Sequence, residues 1–171
     1  ECSSYWHSLY VFLWLLTSYN KVPIMGLFYG ILLVLHLILQ FVTFNHQVNI
    51  YKVIQKTLNK WSYLLTTQNI NVHITFDSEE IYWLGDQLWY ERLFDNIISN
   101  IYKHSKATKI NIVLFSNFVE IKDNGVGFNN HVSYSKGLTI IKDICKNFSL
   151  NLNIETNENG TLIKISNEKG E

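Results

Sequence analysis

The distribution of charge constrains this chain more than any single motif. Residues 1–47 carry only Glu1 and Lys21 as charged side chains, and nearly all other charges fall after residue 50. A segment so poor in charge has little with which to face water, so lipid or protein must cover it. The boundary divides the chain into residues 1–46 and residues 47–171. In the first part, residues 25–44 are twenty positions without a charge. As a helix they rise about 30 Å, the thickness of a bilayer's hydrocarbon core. Residues 5–19 are similarly apolar but shorter, with Trp6, Tyr10 and Trp14 of interfacial type. Asn20, Lys21, Val22 and Pro23 break the two. An apolar helical hairpin is therefore expected, either spanning a membrane or packed tightly against protein. His36 and Gln40 are unusual in lipid but tolerable against a neighbouring helix. Lys52, Lys56 and Lys60 follow the second segment. The positive-inside tendency then puts the remainder in the cytoplasm, with the hairpin in the inner membrane. No basic start or small-residue cleavage site marks a signal peptide. A first residue of Glu1 rather than Met is what a piece of a longer protein would show.

The second part reads as alternating elements. Residues 49–67 have the helical spacing, with Ile50, Val53, Ile54, Leu58, Trp61, Leu64 and Leu65 inward. Residues 70–76 alternate as a half-buried strand with His73 on its polar side. Residues 78–86 form a loop with a short strand at 81–84, and Asp86 can cap the helix that follows. Residues 108–115 and 118–122 are strands, 123–136 a glycine-containing loop, and 137–148 a helix. Residues 150–156 and 161–166 make a final hairpin across residues 157–160. This order predicts a two-layer α/β sandwich, a mixed sheet with helices on one face. A formal net charge of zero supplies no basic field for nucleic acid. Cys2 and Cys145, far apart, suggest neither a disulfide framework nor a metal knuckle.

Residues 93–105 carry the first candidate site. Leu93, Phe94, Ile97, Ile98 and Ile101 form one apolar stripe. Asn96, Asn100, Lys103 and His104 fall on another face, at i, i+4, i+7 and i+8. Asn is a mediocre helix former, so two of them need a reason. A Mg²⁺ ion with phosphate oxygens supplies one, since amide oxygens suit a hard cation and an ammonium suits phosphate. A solvated outer face is the plainer alternative.

Downstream, Asp123-Asn124-Gly125-Val126-Gly127 follows a strand directly. An Asp there can accept a hydrogen bond from an exocyclic amine, and glycines let backbone approach a ligand. Nine residues separate Gly127 from Gly137-Leu138, which opens a helix whose N-terminus can hold phosphate. Gly160-Thr161 opens the last strand. Together these motifs, over about residues 47–167, resemble the ATP-binding domain of bacterial sensor histidine kinases, of the Bergerat-type nucleotide fold. The resemblance implies Mg²⁺ and ATP as ligands. It implies Asn100 as the main metal ligand supported by Asn96, Lys103 at phosphate, and His104 near the phosphates or ribose. Asp123 would bind the adenine amino group and Thr161 would support it. Gly125 and Gly127 would shape the adenine pocket and lid hinge, and Gly137-Leu138 the start of the phosphate-side helix. It further implies a homodimer that passes phosphate to a response regulator.

Three details refine the resemblance. Hydrolases and serine kinases of this fold carry Glu where Asn96 stands, and an amide cannot take a proton from water. An imidazole nucleophile needs less activation, so Asn96 favours the histidine kinase branch. The span between Gly127 and Gly137 is short, with Ser133, Ser135 and Lys136 where the family commonly has glycines and an apolar residue. His7 is followed by Ser8, Leu9 and Tyr10, without the acid and the later Pro of a phosphoacceptor box. The acceptor would then be missing or on another chain. A non-catalytic nucleotide-sensing module of the same fold is the alternative expectation.

Overall fold

The computed structural model describes residues 23–44, 46–127 and 136–167. The chain divides into two units, Glu1–Asn45 and His46–Glu171.

In the first unit, helix α1 (Pro23–Phe44) takes up the longer apolar segment. Pro23 suits its first position, where the missing N–H would have no intrahelical partner. The expected partner helix at residues 5–19 lies outside the described residues, as does His7, so the hairpin is not observed. The expected membrane span is not supported either: over the described residues, no helix is long and apolar enough to cross a membrane.

The second unit begins with β1 (His46–Asn49), which pairs antiparallel with β3 (Tyr82–Gly85) in a small sheet of its own. Helix α2 (Ile50–Thr67) starts where the Asn49 side chain accepts the Lys52 N–H at 2.9 Å. After β2 (Asn71–Phe76), helix α3 (Gln87–Asn100) begins at Asp86, whose carboxylate accepts the Leu88 and Trp89 N–H groups at 2.8 and 3.1 Å. It runs into a single wide π-type turn (Ile101–Ser105), closed by Lys106 at φ +55°. Strands β4 (Lys109–Leu114) and β5 (Phe118–Asp123), helix α4 (Lys136–Asn147), and strands β6 (Asn151–Asn157) and β7 (Gly160–Ser166) complete the unit.

The main sheet has five strands in the order β2-β4-β5-β7-β6. Strand β2 runs parallel to β4 and every other neighbour is antiparallel, so the sheet is mixed as expected. Alternation along the strands makes one face apolar: Ile110, Ile112, Leu114, Val119, Ile121, Ile163 and Ile165 are all buried. They share one core with Ile50, Val53 and Ile54 of α2, Tyr90, Leu93, Phe94, Ile97 and Ile98 of α3, and Leu138, Ile141 and Ile144 of α4. Each fully buried large apolar side chain there contributes about 1.5–3 kcal/mol. The opposite face is polar, with Lys164 bonded to Glu120 at 2.8 Å.

The stripe Leu93, Phe94, Ile97, Ile98 and Ile101 is buried throughout, as its spacing predicts. Leu64 departs from expectation and is 37% exposed. The helical period carries it off the inner face that Ile54 and Leu65 occupy.

Helices α2 and α3 are joined along their outer edge by polar contacts. Lys56 bonds Glu91 at 2.7 Å, and the Trp61 Nε1–H donates to Asp95 at 2.9 Å beside the Lys60–Asp95 ion pair. Glu91 also accepts from Gln87 at 2.8 Å. Desolvation pushes the Glu91 carboxyl up, but these hydrogen bonds and the Lys56 charge outweigh it and hold it below its ordinary value.

Candidate functional site

Asp123 ends the central strand β5, opposite Ile110 of β4. That register turns it to the inner face, where it is 3% exposed. A buried carboxylate must be hydrogen-bonded. Its oxygens accept the Gly125 N–H at 2.8 Å and the backbone and hydroxyl donors of Thr161. Thr161 is itself buried at the start of β7, its hydroxyl 3.4 Å from that of Thr156. Burial raises the Asp123 pKa above the ordinary carboxylate value, and the hydrogen bonds from Gly125 and Thr161 offset only part of that rise.

The loop after Asp123 is held against the end of α3. The Val126 N–H donates to the Ser105 carbonyl at 2.8 Å. A Cβ on Gly125 would fall on that same carbonyl, so only glycine permits the approach. Gly127 has φ +68°, and a Cβ there would strike the Asn157 carbonyl. On the other side, Asn124 Oδ1 accepts the Thr108 and Lys109 N–H groups at 2.9 and 2.8 Å, and its Nδ2 donates to the Thr108 hydroxyl at 2.9 Å.

The wide turn changes the face predicted for the end of α3. An α-helix would stack Lys103 and His104 on either side of the line through Asn96 and Asn100. Bonds of π type reach one residue further, so each side chain lags behind its α position. His104 then comes closer to the line of Asn100 and Lys103 moves off it. Both side chains are exposed. Asn96 is half-buried, and its Nδ2 donates to the Arg92 carbonyl at 2.7 Å, so the amide nitrogen is tied to its own helix.

Asn100 is half-buried and meets the start of α4. A Cβ built on Gly137 would stand 2.8 Å from Asn100 Oδ1. Leu138, next in sequence, is buried in the core and anchors the first turn of α4. Lys136 is exposed, and Ser133 and Ser135 lie outside the described residues. The structure thus brings Asn100 together with Gly137, and Asp123 together with Gly125 and Thr161. It places Lys103 and His104 on the surface at the end of the same helix.

Among the described residues no cluster of His, Cys, Asp and Glu could hold a metal. The donor set at Asn100 instead suits Mg²⁺ bound partly through nucleotide phosphates and water, which needs only one or two protein oxygens. Two residues of the site escaped sequence reading. Ser105 ends the 93–105 stretch and Asn124 stands within the Asp123–Gly127 motif, and the sequence assigns neither a role. A polar residue between Asp123 and Gly125, two positions whose backbone is constrained, was the available signal.

No family model matches the chain. Over 125 residues it is 36% identical to the sensor histidine kinase YbdK of Bacillus subtilis strain 168, a match that takes in 72% of this chain. The chain belongs to the histidine kinase ATP-binding domain family. It spans 39% of the length of that relative. Histidine kinase domains among solved structures share its fold. The cytoplasmic segment of histidine kinase QseC superposes with a TM-score of 0.60 at 20% identity, over 71% of this chain and 76% of that one. The Acinetobacter baumannii histidine kinase AdeS gives 0.62 at 17% identity, over 89% of each chain. The catalytic domain of histidine kinase ThkA gives 0.61 at 17% identity, over 71% of this chain and 94% of that domain.

Proposed function

We propose that this histidine kinase domain binds ATP with Mg²⁺ and donates the γ-phosphoryl group to a histidine, for relay to a response regulator. The observation that carries the reading is the buried Asp123 carboxylate, oriented by Gly125 and Thr161 at the end of the central strand. A carboxylate so placed accepts the adenine amino group, and it is an acceptor that guanine, with a carbonyl at that position, would repel.

At the other end of the site, Asn100 would hold the metal, with Asn96 in support. Mg²⁺ when bound neutralises phosphate charge. Lys103 and Gly137 would meet the phosphates, and His104 the phosphates or ribose. The N–H groups that open α4 would face the same anion. The chemistry is attack of an imidazole nitrogen on γ-phosphorus, forming an N–P bond as the P–O bond to ADP breaks. The domain contributes positioning and charge stabilisation, with no general base for water at Asn96.

The acceptor histidine would lie on a dimerisation hairpin of this protein or of a partner chain, in a homodimer. The likeness to a sensor histidine kinase supports a membrane-associated protein with this domain in the cytoplasm. A second reading, a nucleotide-sensing module without transfer, is favoured by the lack of an acceptor pattern around His7.

Incubation with γ-labelled ATP, alone and with a separate hairpin carrying the acceptor histidine, tests the proposal. Acid-labile phosphate on histidine is the expected product. ATP binding without any such product supports the sensing module instead.

A further inference from the structure

We propose that Asn124 is a positioning residue for base recognition: its side chain clamps the loop that carries Asp123 to the start of β4. The inference rests on the nucleotide reading above. The β4–β5 ladder pairs Ile110 with Asp123 and extends one step further, through the Asn124 N–H to the Lys109 carbonyl at 3.2 Å. At that point the Asn124 side chain takes over. Its Oδ1 accepts two consecutive backbone N–H groups, and its Nδ2 binds the hydroxyl of the same Thr108.

A single amide therefore makes three bonds across to a strand that the chain reached some fifteen residues earlier. They fix the backbone between Asp123, whose carboxylate faces the core, and Gly125, whose N–H that carboxylate accepts. Thr161 holds Asp123 from the β7 side. Asn124 holds the same turn from the β4 side. Without it, the turn can tilt about the Thr161 contact, and the carboxylate loses its alignment with an exocyclic amine. The phosphate-side groups, Asn100 and Gly137, stand on α3 and α4, outside the turn that Asn124 clamps.

The effect should accordingly fall on the choice of base. Binding of ATP and of GTP to the full chain, each with Mg²⁺, gives a preference ratio. Asn124→Ala should lower the ATP-over-GTP ratio roughly tenfold while the GTP affinity stays near wild type. Asn124→Asp keeps an acceptor for both N–H groups and should keep most of the ratio. Thr108→Val removes one bond and no backbone group, and should lower the ratio about twofold. It decides the matter if Asn124→Ala does not fold. An unchanged ratio in folded Asn124→Ala, or in Thr108→Val where that variant decides, overturns the positioning role. So does an equal loss in Asn124→Ala and Asn124→Asp. If the wild type itself shows no preference for ATP, the nucleotide reading fails, and this inference with it.

Discussion

Gly137 lies directly against the carboxamide of Asn100, so close that a Cβ would stand 2.8 Å from Asn100 Oδ1. The contact couples the end of α3 to the beginning of α4 through one short side chain. Gly137→Ala replaces a poor helix former by the best one, but at the second residue of α4 the gain is below the roughly 0.5–1 kcal/mol of a helix interior. It also forces Asn100 to swing aside. Denaturant unfolding should show unchanged or higher stability, while Mg-ATP affinity falls about tenfold. Retained affinity would mean that the Asn100 position does not matter to the ligand.

Asn100→Ala should make nucleotide binding indifferent to Mg²⁺, measured by titration with and without a chelator. If the dependence persists, the metal is held elsewhere. Asp123→Ala should abolish ATP binding, and unchanged affinity would sink the adenine assignment.

The raised pKa of Asp123 has two opposite consequences in acid. With Asp123 in the proposed role of adenine acceptor, ATP affinity should fall with pH in a window above the ordinary aspartate value of about 3.9. Folding responds in the other sense. Because the folded form holds this proton more tightly than the unfolded chain, the contribution of Asp123 to stability is fully present below the unfolded value. It is lost as pH rises through the folded one. Isothermal titration and thermal melts across that window check both signs. An ATP affinity that is flat until below the ordinary value contradicts the first.

Asp95 receives both the Lys60 ammonium and the Trp61 indole N–H. The ion pair is largely exposed and contributes under about 1 kcal/mol. The indole bond to a charged acceptor is the larger part. Asp95→Ala should cost about 1–2 kcal/mol in chemical unfolding and leave ATP affinity intact.

Glu91 is occupied by Lys56 and Gln87 on the α2 side of α3, so it is not placed to act as a base. Phosphotransfer by Glu91→Gln should match the wild type within about twofold. A loss of several orders of magnitude would make it catalytic.

The parts of this fold that were legible in advance are those set by local chemistry. The buried stripe of α3 follows from its period, and the helix starts at Asn49 and Asp86 from their capping side chains. The last hairpin follows from strand alternation on either side of residues 157–160. The strand at His46–Asn49 was not legible, because its sheet partner, Tyr82–Gly85, lies far along the chain. Nor was the wide turn at Ile101–Ser105, since one extra residue in a turn leaves no mark in an amphipathic pattern.

Sequence alone determined which residues could form a nucleotide site: an Asp at a strand end, glycines where backbone must come close, and two Asn on one helix face. Each is a property of residue type and short-range spacing. Only the tertiary structure decided how they meet. It set Gly137 against Asn100, seated Gly125 on the Ser105 carbonyl, and gave Asn124 the backbone N–H groups of Thr108 and Lys109 at the entry to β4. Those contacts join elements brought together by burial of a shared apolar core, which carries no directional information until the strands have found their order.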